Sequence, residues 1–122
     1  MKDETRLMTL YLSKFYPFII GTSFHYVDGM KFINVHISYS KFIETFPHIE
    51  FYDYKKYFLP GDRYYMLATM IDKQEHYDQY RKEMRDLSED IFNTIKNLER
   101  SNLFPIDKGE NGLNKGAYII YE

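Results

Sequence analysis

The dipeptide Asp28-Gly29 constrains this chain more than any other stretch. It stands between two runs rich in β-branched and aromatic residues, "TSFHYV" and "MKFINVHISY". A two-residue turn that follows the right-handed twist of its strands needs positive φ at both central positions, and Asp-Gly tolerates that. The pattern predicts a β-hairpin with a fixed register, Val27 opposite Met30 and Phe24 opposite Ile33. In the second strand Ile33, Val35, Ile37 and Tyr39 then share one face. Phe32, Asn34, His36 and Ser38 share the other. The first face reads as core and the second as mostly wet.

The second constraint is "YDQYRKEMRDLSEDIFNTIKNL", from Tyr77 to Leu98. Its apolar residues follow a heptad-like seam through Tyr77, Tyr80, Met84, Leu87, Ile91 and Leu98, with Thr94 between. Asp72 with Glu75 three residues later forms a capping-box pattern at its start. The helix is expected to reach about Ser101, roughly 40 Å at 1.5 Å per residue. A seam of this kind serves either a coiled-coil partner or the chain's own sheet. The flanking positions (Arg81, Ser88, Ile95 on one side; Glu83, Asp90, Asn97 on the other) offer few complementary charges. The stripe also widens at Phe92 and Ile95, as a helix packing on a globular core requires. We therefore read Ile91 to Leu98 as packed on the sheet, with the end near Tyr77 and Tyr80 either projecting or lying at its rim.

The remaining elements follow from weaker signals. Asp3 to Ile20 reads as a helix with Leu7, Met8, Tyr11, Leu12, Phe15 and Ile19 inward, ended or kinked by Pro17 and closed by Gly21. A strand is the alternative for "RLMTLYL". Ser40 with Glu44 suggests a short helix broken by Pro47. A second helical or irregular piece would follow, closed by Pro60-Gly61. "YYMLATMI", Tyr64 to Ile71, reads as a buried strand. The stretch from Asn102 to Gly116, with Pro105 and Asn111-Gly112, reads as an exposed loop. "AYIIYE" closes the chain as a strand. The expectation is an α+β fold in a single domain spanning 1–122. It has a small, mainly antiparallel sheet, one long helix across a face and a helix near the N-terminus.

Composition narrows the function classes. The chain has 122 residues and net charge −2, which argues against both a nucleic-acid polycation and an acidic mimic. There is no cysteine, so disulfides and cysteine-based zinc sites are excluded. A reducing cytoplasm is the expected compartment. "MKDETRLMTLYLSK" is charged from its start and lacks the apolar stretch of a secretory signal. No run approaches a membrane span, so no membrane partner is expected. Abundant Tyr, Phe, Ile, Lys and Asn, with Ala only at Ala68 and Ala117, matches an AT-rich coding bias of the kind found in phages, mobile elements and low-GC bacteria.

Candidate chemistry is sparse. His25 and His36 fall on one face of the predicted hairpin, where they would share a metal with Asp28 or simply stand on a wet surface; the second reading is the ordinary one. His48 and His76 have no metal-ligand spacing. No nucleophile elbow, Walker loop or dinucleotide fingerprint is present. "GENGLNKG", with Lys108 and Lys115, has the composition of a plain loop more than of a phosphate cradle. Helix pairs Asp78–Lys82 and Arg85–Glu89 read as a solvated face. No cofactor and no catalytic residue is expected.

The aromatics point instead to binding. Thirteen tyrosines exceed what a small core hides, and tyrosine tolerates exposure while giving large contact area at low entropic cost. Coding bias alone is the competing explanation. The expectation is a small protein-binding inhibitor acting by steric cover, most concretely a phage or mobile-element anti-defence protein such as an anti-CRISPR, and alternatively an immunity protein or antitoxin. Its partner-facing residues are expected at Tyr52, Tyr54, Lys55, Lys56, Tyr57, Arg63, Tyr64, Tyr77, Asp78, Tyr80 and Arg81. A second alternative is single-stranded nucleic acid held by the Tyr/Lys-rich segment 51–65, where Tyr65 also lies, through stacking and phosphate contacts. A monomer and a homodimer are both compatible with the sequence.

Overall fold

The computed structural model describes residues 2–49, 63–64, 74–101 and 112–121, with the backbone alone considered at 2–3, 63–64, 74–79 and 81. The order of elements is α1 (Lys2–Phe15), β1 (Ile19–Val27), β2 (Met30–Ser38), α2 (Tyr39–Thr45), β3 (Arg63–Tyr64), α3 (Gln74–Ser101) and β4 (Leu113–Tyr121). The strands form one sheet in the order β1-β2-β4-β3. The outer pairings, β1–β2 and β3–β4, are antiparallel, and the central β2–β4 pairing is parallel. The α+β fold with its long helix in the C-terminal half is the one expected.

The hairpin forms as its turn dictates. Asp28 and Gly29 have φ of 51° and 80°, the two positive values that a strand-matching two-residue turn requires. Val27 pairs with Met30, Phe24 with Ile33 and His25 with Phe32. Ile33, Val35 and Ile37 are buried, as are Leu113, Tyr118 and Ile120 beside them on β4. Against this face lie Met8 and Leu12 of α1 and Met84, Ile91, Ile95 and Leu98 of α3. The seam of α3 is thus spent on the chain's own sheet, which answers the question it posed.

Several expectations are corrected. The first helix stops at Phe15, not Ile20. Pro17 disfavours helical backbone at the residue before it, and it has no N–H to continue the ladder. Ile19 instead opens β1, where it is buried, whereas Leu7 and Phe15 point outward. Tyr39 does not extend β2; it begins α2, whose cap is Ser38, with its hydroxyl accepting from the Lys41 amide at 3.4 Å. Asn34 and Ser38, expected on a wet face, are buried. Lys115 and Gly116 lie in β4 and not in a loop, because parallel pairing with Lys31 to Ile33 draws Leu113 to Lys115 into the sheet. The long helix ends at Ser101 as expected. The predicted strand 64–71 is seen at Tyr64 alone. Its residues 65–71 lie outside the described residues, as do the capping residue Asp72, the segment 50–62 and the loop 102–111.

At the centre of the sheet, Gly116 and Ala117 together oppose Asn34, a β-bulge in the parallel pair. The Ala117 amide donates to Asn34 Oδ1 at 2.9 Å. A side chain at Gly116 would collide with the Ile33 carbonyl and with Asn34, so this position requires glycine. One buried ion pair ties α1 to the sheet: Lys31 Nζ meets Glu4 Oε1 while standing 4.4 Å from the Phe24 ring centroid.

Candidate protein-binding surface

The short connection after α1 sets up one end of the molecule. Pro17 turns the chain, the Ile19 amide donates to the Tyr16 carbonyl, and the Ser38 amide donates to the Phe18 carbonyl, each at 2.9 Å. Phe18 is thereby fixed against Phe42 of α2, edge to face with centroids 5.0 Å apart. After α2 the Ile49 amide donates to the Phe46 carbonyl at 3.1 Å, closing a turn with Pro47 in the position that favours proline. Ile49 is buried and anchors the turn. His48 is left pointing outward.

These constraints produce a continuous ribbon of rings. It runs from Tyr11 and Phe15 on α1 through Tyr16, Phe18, Phe42, Phe46 and His48 to Tyr80 on α3. Successive centroids lie 5.0 to 6.4 Å apart, within the range of favourable aromatic contact. Phe18 and Phe42 root the ribbon in the core. Tyr11, Tyr16, Phe46 and Tyr80 are half-buried, and Phe15 is 57% exposed. Ile43 adds a further exposed apolar side chain on α2. His48 Nε2 meets Glu83 at 2.9 Å, a surface pair that gives the ribbon a polar rim. Apolar rings partly sunk in the core and bordered by charge resemble the anatomy of a protein interface.

Of the residues expected to bind a partner, Tyr80 is in this ribbon, 5.4 Å from His48 by ring centroid. Tyr77, Asp78 and Arg81 occupy the same end of α3 by backbone, and Arg63 and Tyr64 pair with Ile119 and Tyr118 at the sheet edge; their side chains lie outside the described residues. Tyr52, Tyr54, Lys55, Lys56, Tyr57 and Tyr65 lie outside them altogether. Sequence reasoning missed Phe15, Phe46 and His48, which come from segments far apart in the chain and share no local period. The expected pair Asp78–Lys82 involves a side chain outside the described residues; Lys82 meets Asp86 at 3.0 Å.

The face of the sheet away from α1 and α3 carries a different constellation. Asn34 Nδ2 lies 3.3 Å from Ser23 Oγ and 3.2 Å from His25 Nδ1, and Ser23 Oγ lies 2.9 Å from His36 Nε2. Because Asn34 Oδ1 accepts from Ala117, its amide group must donate to Ser23 and to His25 Nδ1. His25 is therefore an acceptor at Nδ1 and carries its proton on Nε2. The rings are flanked by stacks, His25 on Phe32 and His36 on Tyr121. The two histidines are held by Asn34 and Ser23 rather than drawn together. Among the described residues no group of three or more His, Cys, Asp or Glu is placed to share a metal ion. The Ser23 oxygen accepts from Asn34 and keeps its own O–H for the 2.9 Å contact with His36 Nε2, so one hydroxyl bridges the two side chains. This network reads as a lock between β1, β2 and β4.

On the helical face, the Tyr118 hydroxyl meets Ser88 Oγ of α3 at 2.8 Å. Burial pushes it up to about 12; the Ser88 hydrogen bond works the other way, and Tyr16 adds to the rise. Among the described residues no helix is long and apolar enough to cross a membrane. No protein-family model, curated protein or solved structure matches the chain.

Proposed function

We propose that this chain is a protein-binding inhibitor that covers a working surface of its target, with the aromatic ribbon from Tyr11 to Tyr80 as its contact face. The observation that carries this reading is the exposure of Phe15 and the partial exposure of Tyr16, Phe46 and Tyr80 while their neighbours Phe18 and Phe42 are fixed in the core. Rings held from beneath lose little entropy on binding, and aromatic anchors of this kind dominate interface energetics. The target is a protein. The AT-biased composition suits a phage or mobile-element origin, so an anti-defence role such as an anti-CRISPR is the most concrete form. An immunity protein or antitoxin would use the same steric mechanism on a toxin.

The test is affinity capture from a lysate of the native host at low and high salt, with nuclease added. The proposal expects one protein, retained in stoichiometric amount under both treatments. Capture that disappears with salt or nuclease would replace it with a nucleic-acid reading, since phosphate contacts weaken steeply with salt.

A further inference from the structure

An open cavity of about 220 Å³ lies beside the Asn34 network, over the bulge of β4, and shares no lining residue with the aromatic ribbon. Gly116 and Ala117 give it a floor of backbone and one methyl group, and Val27 and Phe32 give it apolar walls. A cavity of about 150 Å³ accommodates a benzene ring, so this one has room for a substituted ring. His25 is the lining residue able to address such a ring. Its Nδ1 accepts from Asn34 at 3.2 Å, which leaves its proton on Nε2. Among the described residues nothing accepts from that N–H. The imidazole is also held in place. Phe32 stacks on it with centroids 5.2 Å apart. Asn34, which orients it, is 4% exposed and is itself fixed by the Ala117 amide.

We propose that this cavity binds a small planar ring that carries a neutral hydrogen-bond acceptor, a carbonyl or a ring nitrogen, at its edge. The ring lies against Val27 and Phe32 over Gly116, and its acceptor takes the His25 Nε2–H. Three features select this class. Apolar walls around a few placed polar groups are the usual make-up of a small-molecule site, and bare backbone at Gly116 lets a flat group come close. The donor is preorganised: Asn34 and Phe32 fix the imidazole beforehand, so little ordering is left to be lost on binding. Charge offers no rival anchor. Among the described residues the lining holds no acid, and the Lys115 ammonium stands 5.5 Å from the Phe92 ring centroid on the helical side. Asp28, next to Val27, is exposed in the turn. These two opposite charges at the margins favour neither an anion nor a cation. The bulge itself fits the reading, since bulges gather next to binding sites.

The inference does not rest on the inhibitor reading, because the cavity lies apart from the ribbon. Titration of the full chain with benzamide, followed by proton–nitrogen NMR, tests it. Benzylamine is the control, with the same ring and no acceptor. Saturable shifts are expected at the amides of His25, Asn34, Gly116 and Ala117, with a Kd of about 1 mM for benzamide and none for benzylamine. His25→Phe keeps a flat ring beside Phe32 but has no N–H, and should weaken binding about tenfold. Val27→Ala, at a position 48% exposed, removes part of a wall without touching the network and should weaken binding severalfold. No shifts up to about 20 mM benzamide, equal shifts with benzylamine, or binding that both variants leave unchanged would overturn it.

Discussion

Asn34→Ala is the perturbation that reads the centre of this fold most clearly. Asn34 accepts from the Ala117 amide, and Ala117 is 4% exposed. Without that acceptor a buried N–H is left unpaired, at a cost of about 1–3 kcal/mol. The substitution also removes the contacts to Ser23 at 3.3 Å and His25 at 3.2 Å. Each is neutral and long, worth about 0.5–1 kcal/mol. The total is about 2–5 kcal/mol, a large part of the roughly 5–15 kcal/mol that holds a domain together. Urea unfolding followed by far-ultraviolet circular dichroism measures it, with an unchanged denaturant slope as the sign that only stability has moved. Ser23→Ala, which keeps the Ala117 acceptor, should cost about 1 kcal/mol. If Asn34→Ala loses no more than Ser23→Ala, the bulge at Gly116 and Ala117 has another lock and the reasoning fails.

Three further outcomes follow from the same contacts. Tyr118 keeps its proton up to about pH 12 in the folded chain, while the unfolded tyrosine ionises near 10. Its contribution is complete below pH 10 and is lost as pH rises towards 12, by about 2–3 kcal/mol; urea melts of the unaltered chain should therefore decline more steeply above pH 10 than those of Tyr118→Phe. Lys31→Met removes the ammonium group that meets Glu4 in this largely buried pair and should cost about 3 kcal/mol, whereas adding Glu4→Gln to it should restore much of the loss in a double-mutant cycle. Gly116→Ala drives a methyl group into the Ile33 carbonyl and should lower stability by about 1–3 kcal/mol, read in the same melts.

The parts of this fold legible in the sequence are those governed by local rules. Asp28-Gly29 admits one turn geometry, so the register of β1 and β2 followed from it. The seam on α3 showed where that helix would bury Ile91, Ile95 and Leu98. What escaped was set by contacts distant in the chain. Leu113 to Gly116 has loop composition, yet pairing with β2 overrides that preference and makes it strand. The parallel sense of that pairing leaves no local mark. The outward turn of Leu7 and Phe15 escaped because an apolar period shows which helical positions can be buried, not how wide a stripe the sheet covers. In the candidate surface, Tyr80 was legible from the seam. Phe15, Phe46 and His48 reach it only because Pro17 and the turn at Pro47 fold three segments onto one end of the molecule.

The most direct measurement is calorimetric titration of the captured partner with the unaltered chain and with Phe15→Ala. Phe15 is mostly exposed, so its truncation should change stability little, while loss of an interface anchor costs about 2 kcal/mol or more. The account predicts one copy per target, at least tenfold weaker binding for Phe15→Ala and an unchanged melting temperature. Unchanged affinity for Phe15→Ala, with Tyr80→Ala equally silent, would contradict the assignment of the aromatic ribbon as the binding face.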